Sequence, residues 1–231
     1  MKTLCVVVVA LSLISGCQSA SLVCETLGKP VDRSPDFPGR WHLVATSSDS
    51  CLLTSVLFSF LELSAFADIY TTDKLNNYNI NFGYKTFGHC GNATQLFLIE
   101  KNTIQVHDDR VDREKNVLLH TGCHDCFVVK MDGTLHLYSR RITITAAEMM
   151  EFQKQADCLG LHKPTVLNTD HDRENCKPLD DINTDETEFQ LLAQQRLRNM
   201  VNDFYMCAKE TYLYYPRLAY EWAQQTWANL W

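Results

Sequence analysis

The 231-residue sequence predicts an all-β protein: an eight-stranded up-and-down antiparallel barrel with one packed α-helix and a C-terminal helical extension. Three observations carry that expectation. Eight short runs rich in Val, Ile, Tyr, Phe and Thr follow one another between residues 40 and 140, each closed by turn residues. One capped amphipathic helical segment comes next, and the last fifty or so residues change to a helical, aromatic-rich texture. Composition is compatible: 45% hydrophobic and 21% charged residues exclude a disordered, collagen-like or low-complexity chain. A net charge of -7 with no long Lys/Arg run excludes a nucleic-acid binder that works by phosphate neutralisation.

The N-terminus reads as an address. Met1, Lys2 and Thr3 form a short positive region, residues 4–14 an apolar core, and residues 15–20 a small-residue cleavage zone. Eleven apolar residues are too few to cross a bilayer, which needs about 20. Cleavage is expected after Ser19, with Ala20 the near alternative, which makes residues 1–19 a signal peptide. The run Ile14-Ser15-Gly16-Cys17 also fits a lipoprotein signal; eight further cysteines and a glycosylation sequon oppose it. The mature chain, at net -8 after loss of Lys2, is expected to be secreted and extracellular. Its cysteines are Cys24, Cys51, Cys90, Cys123, Cys126, Cys158, Cys176 and Cys207. An even set in an oxidising compartment implies disulfides, and spacing does not choose among the 105 pairings.

The eight runs span residues 40–45, 63–72, 78–86, 95–100, 103–107, 117–120, 127–130 and 135–140. Asp132-Gly133 supplies the positive φ of a tight hairpin between the last two. Thr145 and Glu148 then form a capping box, Met149, Phe152, Ala156 and Leu159 share one helical face, and Gly160 stops the helix. Gly91, Gly122 and the other glycines form no phosphate-binding pattern. Residues 180–231 are set apart from the domain of residues 20–179. A cap at 183–186 starts a second helix whose apolar stripe is Ala193, Leu197, Met200 or Val201, Phe204 and Ala208, and Pro216 is expected to break or kink it. Nine of 24 aromatics and three of four tryptophans lie in the last 28 residues. That concentration suits either a helix folded back on the barrel or an exposed surface for a protein partner, a lipid particle or self-association.

Gly39-Arg40-Trp41 opens the first strand, and Tyr138-Ser139-Arg140 ends the eighth just before the helix. Glycine lets the chain turn tightly into a barrel floor, an indole plugs it, and a guanidinium stacks on the indole and donates to nearby carbonyls. The chain so resembles the lipocalin family. The residues leave Arg140 and Arg141 both open for the stacking role; the family spacing favours Arg140. Asp157-Cys158-Leu159-Gly160-Leu161 and Asn175-Cys176-Lys177-Pro178-Leu179 are similar to the end of the alpha-1-acid glycoprotein (orosomucoid) branch, over roughly residues 24–179. Apolipoprotein M and the saxitoxin- and tetrodotoxin-binding lipocalins share that cysteine plan. The resemblance implies disulfides Cys24–Cys158 and Cys90–Cys176, each worth about 4–5 kcal/mol in the chain-entropy picture. Cys51, Cys123, Cys126 and Cys207 are extra to it, the family's middle motif is degraded around residues 121–125, and residues beyond 179 have no counterpart.

Cys123-His124-Asp125-Cys126, with His107 or His120 nearby, invites a zinc or redox reading. A structural zinc site needs about four ligands and no second pair is present. A redox pair wants a strand-to-helix turn. The simpler expectation is a local disulfide or cross-links to Cys51 and Cys207, with no metal and no cofactor. Asn92-Ala93-Thr94 is the only glycosylation sequon, expected in a turn after Cys90. Neither Gly-x-Ser-x-Gly nor His-Glu-x-x-His occurs. One lipocalin branch isomerises a prostaglandin with a barrel cysteine, but Cys51 falls in the first loop, so no enzyme is expected.

Alternation puts Ile80, Phe82 and Tyr84 on one face and His136 and Tyr138 on another; the resemblance turns both inward with Leu43. The second run has two candidate faces. Phe66, Asp68 and Tyr70 inside would offer a carboxylate to an amine or guanidinium; Leu63, Ala65, Ala67 and Ile69 inside would make the pocket apolar. Patterning favours the second and the resemblance the first. The expected ligand set is Leu43, Asp68, Tyr70, Phe82, Tyr84, His136 and Tyr138, over a floor of Gly39, Trp41 and Arg140. The expected function is a secreted carrier of a small lipophilic molecule, neutral or basic. The alternatives are association with lipoprotein or a protein through the tail, and guanidinium-toxin binding.

Overall fold

Strands form where the apolar alternation is, and they close on themselves. In the computed structural model, residues 23–106, 116–167, 176–182 and 187–228 are described, the last helix with side chains to residue 209. The proposed leader at 1–19, the cap at 183–186 and His107 lie outside them. The strands are β1 (Gly39–Ser48), β2 (Ser64–Thr71), β3 (Asn77–Thr86), β4 (His89–Glu100), β5 (Thr103–Val106), β6 (Asn116–Leu119), β7 (Cys126–Met131) and β8 (Thr134–Ser139). Each pairs antiparallel with the next, and β8 pairs back on β1, so the sheet has no open seam between first and last strand. This is the closed eight-stranded up-and-down barrel that the run pattern predicts. Two short strands decorate it: β9 (Thr165–Val166) on β1, and β10 (Lys177–Pro178), parallel, on β4.

One boundary moves. β4 begins six residues before the predicted run, because Phe87 and Gly88 both take positive φ (49° and 75°) and reverse the chain in a two-residue turn. Asn92 therefore sits within β4, exposed and paired with Gly83, rather than in a turn.

The first loop carries helical turns that the apolar texture did not announce. Ser50 caps α1 (Cys51–Thr54), which runs on into a π-helical turn at Ser55–Phe60. Past β8, α2 (Ala146–Cys158) starts on the predicted capping box: Thr145 Oγ1 accepts from the Glu148 N–H at 3.3 Å, and Glu148 accepts from the Thr145 N–H at 2.7 Å. Its face of Phe152 and Ala156 packs on the outside of the barrel against Val44, Ala45, Leu119, Val128, Leu135 and Leu137. Buried Gln155 donates to Leu27 O and His120 O, tying the N-terminal segment to that helix.

The last helix, α3 (Thr187–Ala228), continues through Pro216, so the expected break does not occur. Proline removes one backbone donor, and the turns on both sides of it in a 42-residue helix persist. Its packing also differs from expectation. Phe189, Arg196, Asp203 and Cys207, one face at helical spacing, meet Phe87, Glu62, Ser59 and Cys51 on the barrel side. The predicted stripe residues Leu197, Val201 and Phe204 lie roughly a quarter-turn away and are exposed. Among the described side chains, a disulfide, an ion pair and the Phe189–Phe87 contact, rather than the predicted apolar stripe, hold this helix.

Among the described residues four disulfides are present: Cys24–Cys158, Cys51–Cys207, Cys90–Cys176 and Cys123–Cys126. Three of them close segments of 86 to 156 residues, where the entropic gain is largest. Thr145→Ala is expected to lower the unfolding free energy by about 1 kcal/mol in urea titrations, and Thr145→Ser to retain most of it.

Candidate functional site

The floor is built first. Trp41 is buried, and its indole N–H donates to Phe37 O at 2.7 Å. Arg140 lies over the indole with Cζ 3.8 Å from the ring centre and donates to the carbonyls of Arg40, Asp36 and Pro38. Gly39 has φ +107°, and a Cβ there would stand 2.6 Å from the Arg140 guanidinium, so glycine is needed twice over. Arg141 does not stack. It turns outward to Asp125 (2.6 Å) and Glu148 (2.7 Å), and those carboxylates raise its pKa further while the Arg141 hydrogen bond holds Asp125 below the usual carboxylate range.

The floor also sets the parity of β2. Trp41 points inward and pairs with Ala67, so Ala67 and Ile69 face the interior and their neighbours face out. Asp68 and Tyr70 are therefore not ligand-binding residues inside the barrel. Asp68 makes a two-point ion pair with Arg40 on the outer wall, both bonds 2.7 Å, and Arg40 in turn covers Phe66 at 4.4 Å. Tyr70 is 56% exposed. The basic-ligand and guanidinium-toxin expectations lose the carboxylate on which they rested.

Inside, a β-bulge between Leu43 and Ala45 shifts the register of β1 against β8, so both Leu43 (opposite Tyr138) and Thr46 (opposite His136) face inward. The central cavity has a volume of about 130 Å³. Phe82 and Tyr138, both predicted, line it together with Ala67, Ile69, Ile80, Phe97, Ile99, Phe127 and Val129. Tyr84 faces in one pair higher, its ring lying where a side chain on Gly91 would be. Phe97, Ile99, Phe127 and Val129 were not singled out from sequence, although strict alternation in β4 and β7 marks them. Ala93 and Gln95 have inward pleats yet are exposed, which places an opening along β4.

The cavity's polar content is small. Asn116 and Tyr138 contribute, and among the described residues no charged side chain lines it. Tyr138 stacks on Phe127 (4.9 Å, 16°), and its hydroxyl makes no hydrogen bond to a described residue. Burial pushes its pKa up to about 12, so it stays protonated and can donate. His136, two residues nearer the rim, has Nδ1 3.0 Å from Thr46 Oγ1 and Nε2 3.1 Å from Thr134 Oγ1. Burial lowers its pKa to about 4, so it is neutral at pH 7. The Cys123–Cys126 pair is a disulfide at the entry to β7, with Arg141 3.5 Å from Cys123 Sγ.

No protein-family model matches the chain, and no curated protein does. Solved structures do. One is a siderocalin, Ex-FABP, described as functioning through dual ligand specificities: 16% identity, TM-score 0.48, covering 58% of this chain and 95% of that one. Another is the bovine lipocalin allergen Bos d 2: 16% identity, TM-score 0.41, covering 57% of this chain and 91% of that one.

The unfolded chain protonates a histidine near pH 6.5 and the folded one near 4, so between those values the unfolded state holds one more proton. Stability therefore rises with pH across that window and is fully present above it. Urea unfolding at pH 4.5 and pH 7 is expected to show His136→Gln flattening this rise by roughly 2–3 kcal/mol relative to the parent.

Proposed function

We propose that this protein is a secreted carrier of lipocalin type that holds a small lipophilic molecule inside its barrel. The apolar cavity beneath Phe82, Phe97 and Tyr138 carries the reading. Its size, about 130 Å³, resembles an apolar cavity that accepts benzene and is well below the roughly 300–1,000 Å³ of sites that engulf drug-sized ligands. The guest is then ring-sized, or it places a ring or chain end in the cavity and extends toward the opening by Ala93 and Gln95. Because no charged side chain among the described residues lines the cavity, an ionised group against that lining would lose its hydration uncompensated, at a cost of several kcal/mol. The buried part of the guest is neutral, held by apolar contact and one hydrogen bond from Tyr138. Function is reversible burial rather than chemistry: the Cys51 thiol a catalyst would use is joined to Cys207. Secretion rests on the leader-like first 19 residues and on the four disulfides; exposed Asn92 is the expected glycosylation site.

A second reading has its own observation. Leu197, Val201, Phe204 and Tyr205 form an exposed apolar flank on α3, suited to a lipid particle or protein partner.

Calorimetry with toluene and phenol tests the first reading. Ala67→Phe should abolish binding of both by filling the cavity, and Tyr138→Phe should weaken phenol by about 1 kcal/mol while leaving toluene unchanged. Binding that survives Ala67→Phe would place the guest elsewhere. For the second reading, replacing Leu197, Val201 and Phe204 together by Gln should abolish adsorption to phosphatidylcholine vesicles and spare toluene binding. Undiminished adsorption would remove that reading.

A further inference from the structure

A larger recess than the barrel cavity lies outside the barrel, where α3 crosses the first loop. It encloses about 430 Å³ between the π-helical turn, the β3–β4 turn, β9 and α3, and its walls include Phe58, Phe87, Glu62, Lys85, Thr165 and Arg196. The walls are tied together: Cys51–Cys207 joins the first loop to α3, and Ser59 donates to Asp203. The recess is thus formed before any ligand arrives, in the size range of small-molecule sites.

Its described lining is opposite in charge to the chain. Among those residues two are cations, Arg196 and Lys85, and one is a carboxylate, Glu62, in a protein of net charge -7. Arg196 is only 9% exposed, an unusual burial for a guanidinium. It donates to Glu62 Oε2 at 2.6 Å and to Leu61 O at 3.3 Å and lies 4.2 Å over the Phe87 ring. Its Nε–H is buried with no partner among the described residues. A buried donor left unpaired is costly, and an anionic acceptor is what satisfies it best. Next to it a second recess of about 630 Å³ carries two carboxylates, Asp157 and Asp203, against one lysine, Lys163, so its described lining is net negative and an anion favours the Arg196 end.

We propose that the recess at Arg196 is a second ligand site, independent of the barrel, for a small anionic amphiphile. Its anionic group is taken by Arg196 and Lys85 and its apolar body lies against Phe58 and Phe87. This assignment does not rest on the carrier reading, since no residue lining the barrel cavity lines this recess.

The test uses the full disulfide-bonded protein and 8-anilinonaphthalene-1-sulfonate, a flat anion too large for a 130 Å³ cavity, followed by fluorescence and calorimetry. One probe per chain is expected. Lys85→Gln and Arg196→Gln should each weaken it about tenfold, the loss of one charge-assisted hydrogen bond, while Ala67→Phe leaves it unchanged. Lys85 is half-buried on β3 rather than on α3, so that variant answers the question even if Arg196→Gln loosens α3. Three results overturn the proposal: no saturable binding, loss of binding with Ala67→Phe, or affinity indifferent to Lys85→Gln, which would place the probe on the exposed flank of α3.

Discussion

The indole of Trp41 stands where three constraints meet. It needs a donor partner for its N–H, which Phe37 O supplies, a cover against solvent, which the Arg140 guanidinium supplies, and room, which Ala67 supplies across the strand pair. Meeting all three fixes one register of β1 on β2. A slip by one residue would turn the Arg40–Asp68 ion pair inward and Ala67 and Ile69 outward. Two charges would then be desolvated in an apolar core, a cost of several kcal/mol per ion. Floor, register and interior chemistry are therefore one decision.

From that decision the character of the interior follows. Aromatic side chains fill most of the barrel, in edge contacts such as Phe82–Phe97 at 5.7 Å and Trp41–Phe127 at 4.7 Å. What they leave is a small hole with one hydroxyl, that of Tyr138, which has no partner among the described residues. In the proposed carrier, packing of this kind would limit the guest by volume, so the barrel would select through what it cannot accommodate. His136 contributes by staying neutral between two threonines and adds no charge near the cavity.

Much of this architecture was legible in the sequence because barrel strands alternate and turns have chemical signatures. The capping box at Thr145 and Glu148 is local, and it is found as written. The start of β4 was not legible, because the turn there uses Phe87 at positive φ, a residue that does not advertise it. The face of β2 was ambiguous locally: Phe66 and Tyr70 compete with Ala65, Ala67 and Ile69, and only a partner 26 residues away, Trp41, decides between them. Hydrophobic patterning pointed to the face that is adopted, whereas the family resemblance pointed to the other. The Cys51–Cys207 link joins residues 156 apart with no spacing rule to suggest it, and cavity volume has no sequence signature at all. On α3, helical spacing found an apolar stripe but not the side that packs, since that side is held by Arg196, Asp203 and Cys207.

A carrier of this kind requires an unfilled apolar space above the Trp41 floor. Xenon enters dry apolar cavities of about this size and is dense enough to locate by diffraction. A crystal of the purified protein held under xenon pressure should show one xenon site ringed by Phe82, Phe97, Phe127 and Tyr138. A barrel interior that takes up no xenon, because those side chains meet with no gap, would contradict the carrier reading.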